Sequence, residues 1–173
     1  ILKSRKKLII IDSSLLKEKN NEIYKSANSG VLYQESNSYK ISKAEIKLAS
    51  KKKSSDKILE DLIFAYRVAK HVKSNAVVLV NNKQTVGIGA GQMSRVDSTK
   101  IAIMKSKQFF KNKLFVCASD AFFPFTDNLQ KLLKLNCVGI IQPSGSLNDD
   151  KIVSYANKKN SSLYFVKNRV FKH

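Results

Sequence analysis

The sequence predicts an α/β domain in three layers, a mixed sheet with helices on both faces, and three observations carry that reading. From residue 55 onward, short apolar runs of strand length alternate with stretches of helical period. The first two runs are separated only by Asn81-Asn82-Lys83, so the alternation opens on an antiparallel hairpin. The 173-residue chain is also 43% hydrophobic, enough to bury a core and too apolar for wholesale disorder.

Residues 1–54 carry the weaker signals. Leu8-Ile9-Ile10-Ile11 reads as a short buried strand and 30–36 (GVLYQES) as a weak one, with polar Lys/Asn/Ser stretches between them. This segment is expected to be a connection, or the edge of a preceding body, and 55–173 the domain proper. A helix follows over 55–72, where Ile58, Leu59, Leu62, Ile63, Tyr66, Ala69 and Val72 share one face. Its acids, Asp56, Glu60 and Asp61, come early and its bases, Arg67, Lys70, His71 and Lys73, come late, as the helix dipole prefers. Strands are expected over 76–80 and 84–88. Gly87-Ile88-Gly89-Ala90-Gly91 reads as a loop leading into a helix over 96–108. A strand over 114–118 precedes Thr126, an N-cap type, and a helix over 128–135 with Leu129, Leu132 and Leu133 on one face. A strand over 138–142, a turn over 143–146, a helix over 149–157 and a strand over 162–166 complete the order before a basic tail. A hairpin followed by this alternation is the element order of the cytidine-deaminase-like fold.

The formal net charge of +19, from 32 Lys+Arg against 13 Asp+Glu, raises the question of a nucleic-acid partner. Its make-up argues against one. Arginine occurs only at Arg5, Arg67, Arg95 and Arg169; the other 28 cations are scattered lysines without aromatic interleaving. Phosphate and base recognition favours the rigid, bidentate guanidinium. The lysine excess, beside abundant Asn, Ile and Ser, reads as compositional bias. No apolar run approaches the ~20 residues of a membrane span, and no signal peptide is visible, so neither membrane nor nucleic acid is expected and the location is expected to be cytoplasmic. Cys117 and Cys137 can form neither a disulfide framework nor a four-ligand zinc site, which suits a reducing compartment. The opening residue, Ile1, suggests a piece of a longer product.

Zinc deamination needs an H-x-E and a P-C-x-x-C segment to hold the metal and move protons. Here His71 is followed by Val-Lys, and each cysteine stands alone. No zinc site is expected, and both thiols are read as small apolar core residues. Three segments remain as candidates for chemistry. G-I-G-A-G-Q-M-S-R (87–95) would lie between a strand and a helix: either an anion cradle or a tight turn needing positive φ, with Arg95 favouring the first. S-D-A-F-F-P-F-T-D-N (119–128) places three phenylalanines around a proline beyond a strand end, where α/β folds bind ligands, or where a hydrophobic plug seals a crossover. Q-P-S-G-S (142–146) would follow the next strand on the same rim.

Taken with K-H-V-K-S-N-A-V-V-L-V (70–80) and the terminal R-V-F-K-H (169–173), these motifs resemble, in order and spacing, the C-terminal part of the bifunctional purine-biosynthesis family. That family joins an aminoimidazole carboxamide ribonucleotide (AICAR) formyltransferase to an inosine monophosphate (IMP) cyclohydrolase. The resemblance is strong over 55–173 and looser over 1–54. It implies a transformylase region built from two deaminase-like halves without zinc, of which 55–173 would be the second.

The resemblance further implies that Asn75 and Arg95 contact the ribonucleotide, that Phe122 shapes its pocket, and that Arg169 binds its phosphate. Val96, Asp127, Ser146 and Leu147 would face the co-substrate, 10-formyltetrahydrofolate, with Asp127 bonding the pterin. A guanidinium suits a phosphate dianion, a carboxylate suits pterin N–H donors, and aromatic rings suit a flat heterocycle. The implied partners are AICAR, folate, a second copy in a homodimer and an upstream region absent from this chain; no metal is required. The family's catalytic Lys-His pair would lie in the first half. Lys70-His71 resembles it but reads as a cation pair at a helix C-terminus. The expectation is a chain that carries substrate contacts without turnover on its own. The alternative is a non-enzymatic remnant, or a basic nucleic-acid-binding module, on the same fold.

Overall fold

The computed structural model describes residues 9, 12, 22–36, 38–110 and 113–173. The strand expected over 8–11 falls, apart from Ile9, outside them. Two compact units divide the chain, residues 1–38 and 39–173. In the first, β1 (Glu22–Ala27) and β2 (Gly30–Glu35) form an antiparallel hairpin with Tyr24 opposite Tyr33. Their rings lie 5.5 Å apart, a cross-strand aromatic pair. The sequence marked β2 and missed β1, because EIYKSA lacks an apolar run and all twelve strand residues are exposed.

The second unit starts at Tyr39, well before the Ser55 at which the domain proper was expected to begin. Ile41 is buried in its core, and β3 (Lys47–Leu48) pairs antiparallel with the last strand. A two-residue strand has no periodicity to read, so it was not foreseen. The remaining elements are α1 (Asp56–Ala69), β4 (Val77–Asn81), β5 (Gln84–Gly89), α2 (Arg95–Phe109), β6 (Phe115–Ser119), α3 (Asp127–Leu133), β7 (Cys137–Pro143), α4 (Asp149–Lys158) and β8 (Ser162–Val166). The sheet order is β3-β8-β7-β6-β4-β5. β6, β7 and β8 are parallel, and the other pairings are antiparallel, so the sheet is mixed as expected.

Alternation along the strands sorts the core into two halves. Val78, Val80, Val116, Ala118 and Ile141 pack on one face with Leu62, Tyr66 and Ala69 of α1. Val77, Leu79, Cys117, Ile140 and Leu163 pack on the other with Ala102 of α2, Leu129 and Leu132 of α3, and Ile152 and Ala156 of α4. Three layers result, α1, the sheet, then α2–α4, because every central strand is apolar on both sides. Both cysteines sit in this core and donate weakly to carbonyls, Cys137 to Gly139 at 3.3 Å. Burial pushes the Cys137 thiol up to about 12 and Cys117 well above its ordinary value.

The glycine segment corrects the sequence reading. β5 runs through Gly89, so Gly87 and Gly89 are strand residues rather than loop. A Cβ at Gly87 would lie 2.1 Å from the Ala102 carbonyl oxygen, and one at Gly89 1.9 Å from that of Ser98. The two glycines let α2 lie directly on the strand, and neither an anion cradle nor a turn explains them. Only Gly91, at φ 65°, meets the turn reading. Thr126 does precede α3, but its side chain makes no cap bond to the helix backbone.

Candidate functional site

Strand register places five chain segments on one rim of the main sheet. Val77, at the start of β4, pairs with Gly89 at the end of β5 and with Ser119 at the end of β6. Pro143 and Val166, the ends of β7 and β8, pair with each other. Since β6 and β7 run in parallel, the segments after β5, β6, β7 and β8 emerge on the edge from which β4 begins. The convergence of three loops read from the sequence therefore holds, and the chain's last residues join them.

At the centre of the rim is Asp120, fully buried directly after β6. Its Oδ1 accepts from Arg95 Nη2 at 2.8 Å, and its Oδ2 accepts from Ser74 Oγ at 2.6 Å. Its main chain is used as well: the amide donates to the Ala76 carbonyl at 3.2 Å and the carbonyl accepts from Val170 N at 3.0 Å. The Arg95 side chain is itself only 12% exposed. In so little water, losing one partner of the pair would cost roughly 3–5 kcal/mol, because the other charge would stay buried and uncompensated. Arg95 starts α2 with Ser94 as N-cap, whose Oγ accepts from Asp97 N at 3.1 Å.

The terminal segment expected to be a basic tail is docked. Val170 is buried, and the Lys172 main chain bonds Ser74 twice: Ser74 N donates to Lys172 O at 2.9 Å, and Lys172 N to Ser74 Oγ at 3.0 Å. Tyr66 OH donates to the Asn168 carbonyl. Burial, then the nearby Tyr39 and the Asp120 charge, raise the Tyr66 phenol far above its ordinary value, so it stays a donor. Docked in this way, the tail holds the Arg169 guanidinium over the Phe122 ring, 4.9 Å from its centroid.

Asn75 closes the other side. Its side-chain nitrogen donates to the Gln92 carbonyl at 2.9 Å, and its carbonyl accepts from Ser98 Oγ at 2.7 Å. The Ser74–Asn75 peptide is cis. Asn75, Arg95, Phe122 and Arg169, drawn from four separate segments, are thus brought together. The second group is looser. Val96 is half-buried on the first turn of α2. Asp127 begins α3 and accepts from Asn128 N at 2.9 Å, with Lys131 Nζ 3.7 Å away. Ser146 Oγ accepts from Asn148 N at 3.2 Å, and Leu147 is fully exposed. Asn148 Nδ2 reaches the Pro124 carbonyl at 2.9 Å, tying the loop after β7 to the Phe-rich segment. Among the described residues, Asp127, Ser146 and Leu147 make no hydrogen bond to the first group.

Sequence reasoning missed Asp120 and Ser74, the residues that bind the first group together. A signal was present: Asp120 is an acid set among apolar residues directly after a buried strand, in a chain with 13 acids and four arginines. Lys70 is the C-cap of α1, and its Nζ donates to the Tyr39 carbonyl at 3.1 Å, the place of a C-terminal cation. Two clefts of about 300 and 530 Å³ lie along α2 and α3, lined by residues such as Met104, Lys107, Lys134 and Leu135. They contain none of the residues placed on the rim. The rim itself is open, with Met93, Phe125 and Leu147 exposed.

The sequence model of the AICARFT/IMPCHase bienzyme family matches residues 1–105. The bifunctional purine biosynthesis protein PurH of Wigglesworthia glossinidia brevipalpis is 42% identical over 173 residues, covering 99% of this chain and 33% of that protein. The PurH proteins of Chlorobium phaeobacteroides (42% identity, 99% of this chain, 32% of that protein) and Buchnera aphidicola subsp. Schizaphis graminum (41%, 100% and 34%) are similar to the same extent. The chain spans about a third of the length of these curated relatives. Residues 1–54, whose motifs resemble the family more loosely, are inside both the family match and the aligned relatives. With well over half of its residues matched by the family's own sequence model, the chain belongs to the AICARFT/IMPCHase bienzyme family.

Proposed function

We infer that the chain is the C-terminal portion of an AICAR formyltransferase, with 39–173 forming the second deaminase-like half of the transformylase region and 1–38 the edge of the first. The reading rests on the family, on the motif order, and on one structural observation above the rest. Asp120 joins Arg95 to the tail that holds Arg169 against Phe122, so the groups attributed to one nucleotide share one anchor.

In this reading the ribonucleotide lies across the rim. Arg169, which makes no hydrogen bond among the described residues, meets the phosphate; Phe122 stacks with the flat heterocycle, and Arg95 and Asn75 face its carboxamide side. The co-substrate 10-formyltetrahydrofolate lies toward Val96, Asp127, Ser146 and Leu147. The AICAR amine attacks the formyl carbon, the bond from that carbon to folate N10 breaks, and tetrahydrofolate leaves with the proton the amine gives up. The amine is a poor nucleophile, so orientation of both substrates carries much of the rate. The proton-moving pair is assigned to the first half, since Lys70 is engaged with the Tyr39 carbonyl. The exposed Met93, Phe125 and Leu147 suit a surface completed by that half or by a second copy in a homodimer. In this reading the chain contributes to IMP synthesis as part of a larger enzyme and binds nucleotide without turnover by itself.

Calorimetric titration of the purified chain with AICAR tests this. The expected result is saturable binding that weakens at least tenfold in Arg169→Ala and survives moderate salt. Equal affinity in the two proteins sinks the reading, and steep salt-dependent DNA binding that ignores the substitution supports the nucleic-acid alternative. Formylated product from the chain with both substrates overturns the absence of turnover.

A further inference from the structure

We propose that Asp120 is the positioning residue of the nucleotide site, orienting the Arg95 guanidinium directly and docking the Arg169-bearing tail through Ser74. The inference rests on the reading above for what the two arginines bind; the geometry of the anchor stands apart from it.

Each oxygen of the Asp120 carboxylate has one side-chain partner, and the partners lead in different directions. Oδ1 accepts from Arg95 Nη2 at 2.8 Å and so ties that end of the guanidinium to the rim. Arg95 Nε is buried without a hydrogen-bond partner among the described residues. Oδ2 takes the Ser74 proton at 2.6 Å, which turns the Ser74 oxygen lone pairs toward the Lys172 amide at 3.0 Å. One carboxylate, fully buried, therefore sets the direction of one arginine and the seat of the segment carrying the other. The other buried aspartate, Asp61, accepts from two main-chain amides of one turn. Asp120 instead bonds two side chains that lie 25 and 46 residues away from it in sequence.

The test combines side-chain NMR with a double-mutant cycle on AICAR affinity. In the wild-type chain the Arg95 Nη2–H signal should be slow to exchange, and in Asp120→Asn it should broaden or exchange at least tenfold faster. AICAR affinity should fall about tenfold in Asp120→Asn and in Arg95→Ala. Adding Asp120→Asn to Arg95→Ala should cost less than threefold more, a non-additivity that a general loss of stability does not produce. Ser74→Ala, which leaves the ion pair in place, should speed exchange of the Lys172 amide while leaving the Arg95 signal unchanged. If Asp120→Asn does not fold, the Ser74→Ala spectra decide: an unchanged Lys172 amide overturns the proposal. So does an unchanged Arg95 signal in a folded Asp120→Asn, or full additivity of the two affinity losses. If wild-type protein does not bind AICAR while both NMR responses appear, the functional reading fails and the positioning role stands.

Discussion

Two buried aspartates lie at opposite ends of strand β4, and they are used differently. Asp61, on α1, accepts from the main-chain amides of Asn82 and Lys83 at 2.8 and 2.7 Å. Those residues form the β4–β5 turn with φ of 50° and 55°, a left-handed pair that is uncommon outside glycine. Asp120, at the other end, bonds the side chains of Ser74 and Arg95. Both amides belong to one turn, so Asp61 closes a hairpin. A guanidinium held by one nitrogen still has donors to offer. The number of bonds a buried carboxylate makes thus says less about its role than whether its partners are main chain or side chain.

The largest expected effect is at the close contact behind the site. Gly89→Val should lower unfolding free energy in urea by about 3 kcal/mol, because α2 must move off the strand. It should weaken AICAR binding as well, since Arg95 begins that helix. Asp61→Ala should cost about 2 kcal/mol by removing two hydrogen bonds to a buried carboxylate, yet leave AICAR affinity per folded molecule unchanged. An affinity loss equal to that of Asp120→Asn would erase the distinction drawn between the two ends. Arg169→Ala should do the reverse, changing stability by no more than about 0.5 kcal/mol, as an exposed residue, while reducing nucleotide affinity at least tenfold. The smallest effect is a control on the core between them. In the native protein at pH 8 neither cysteine should react with a thiolate reagent, and both should react on unfolding. The sign of the accompanying pH dependence follows from the raised thiol. Folding favours the neutral form, so this contribution is complete below the ordinary thiol value of 9.0 and declines as pH climbs toward about 12.

Much of the fold was legible in the sequence. The helices over 55–72, 96–108 and 149–157 and all four central strands were placed to within about three residues, because each is long or strongly periodic. The exposed hairpin β1–β2 and the two-residue β3 were not fully legible, for they carry little apolar periodicity. The glycine segment shows a different limit. Sequence assigned the glycines at 87 and 89 to a loop, whereas a helix packed on the strand accounts for them. In the candidate site, Arg95, Phe122 and Arg169 stood out by rarity and motif, but Asp120 passed as one acid among 13.

What the sequence determined by itself is local and periodic: which stretches are helix or strand, and that the central strands are apolar on both faces. These follow from burial patterns within a single element, which neighbouring residues record. Only the tertiary structure decided which partner each polar side chain takes. Arg95 meets Asp120 across 25 residues, Ser74 meets it across 46, and Lys172 returns to Ser74 across 98. Such pairings depend on strand order and register, which bring distant ends to one rim. No periodicity within a single segment encodes them.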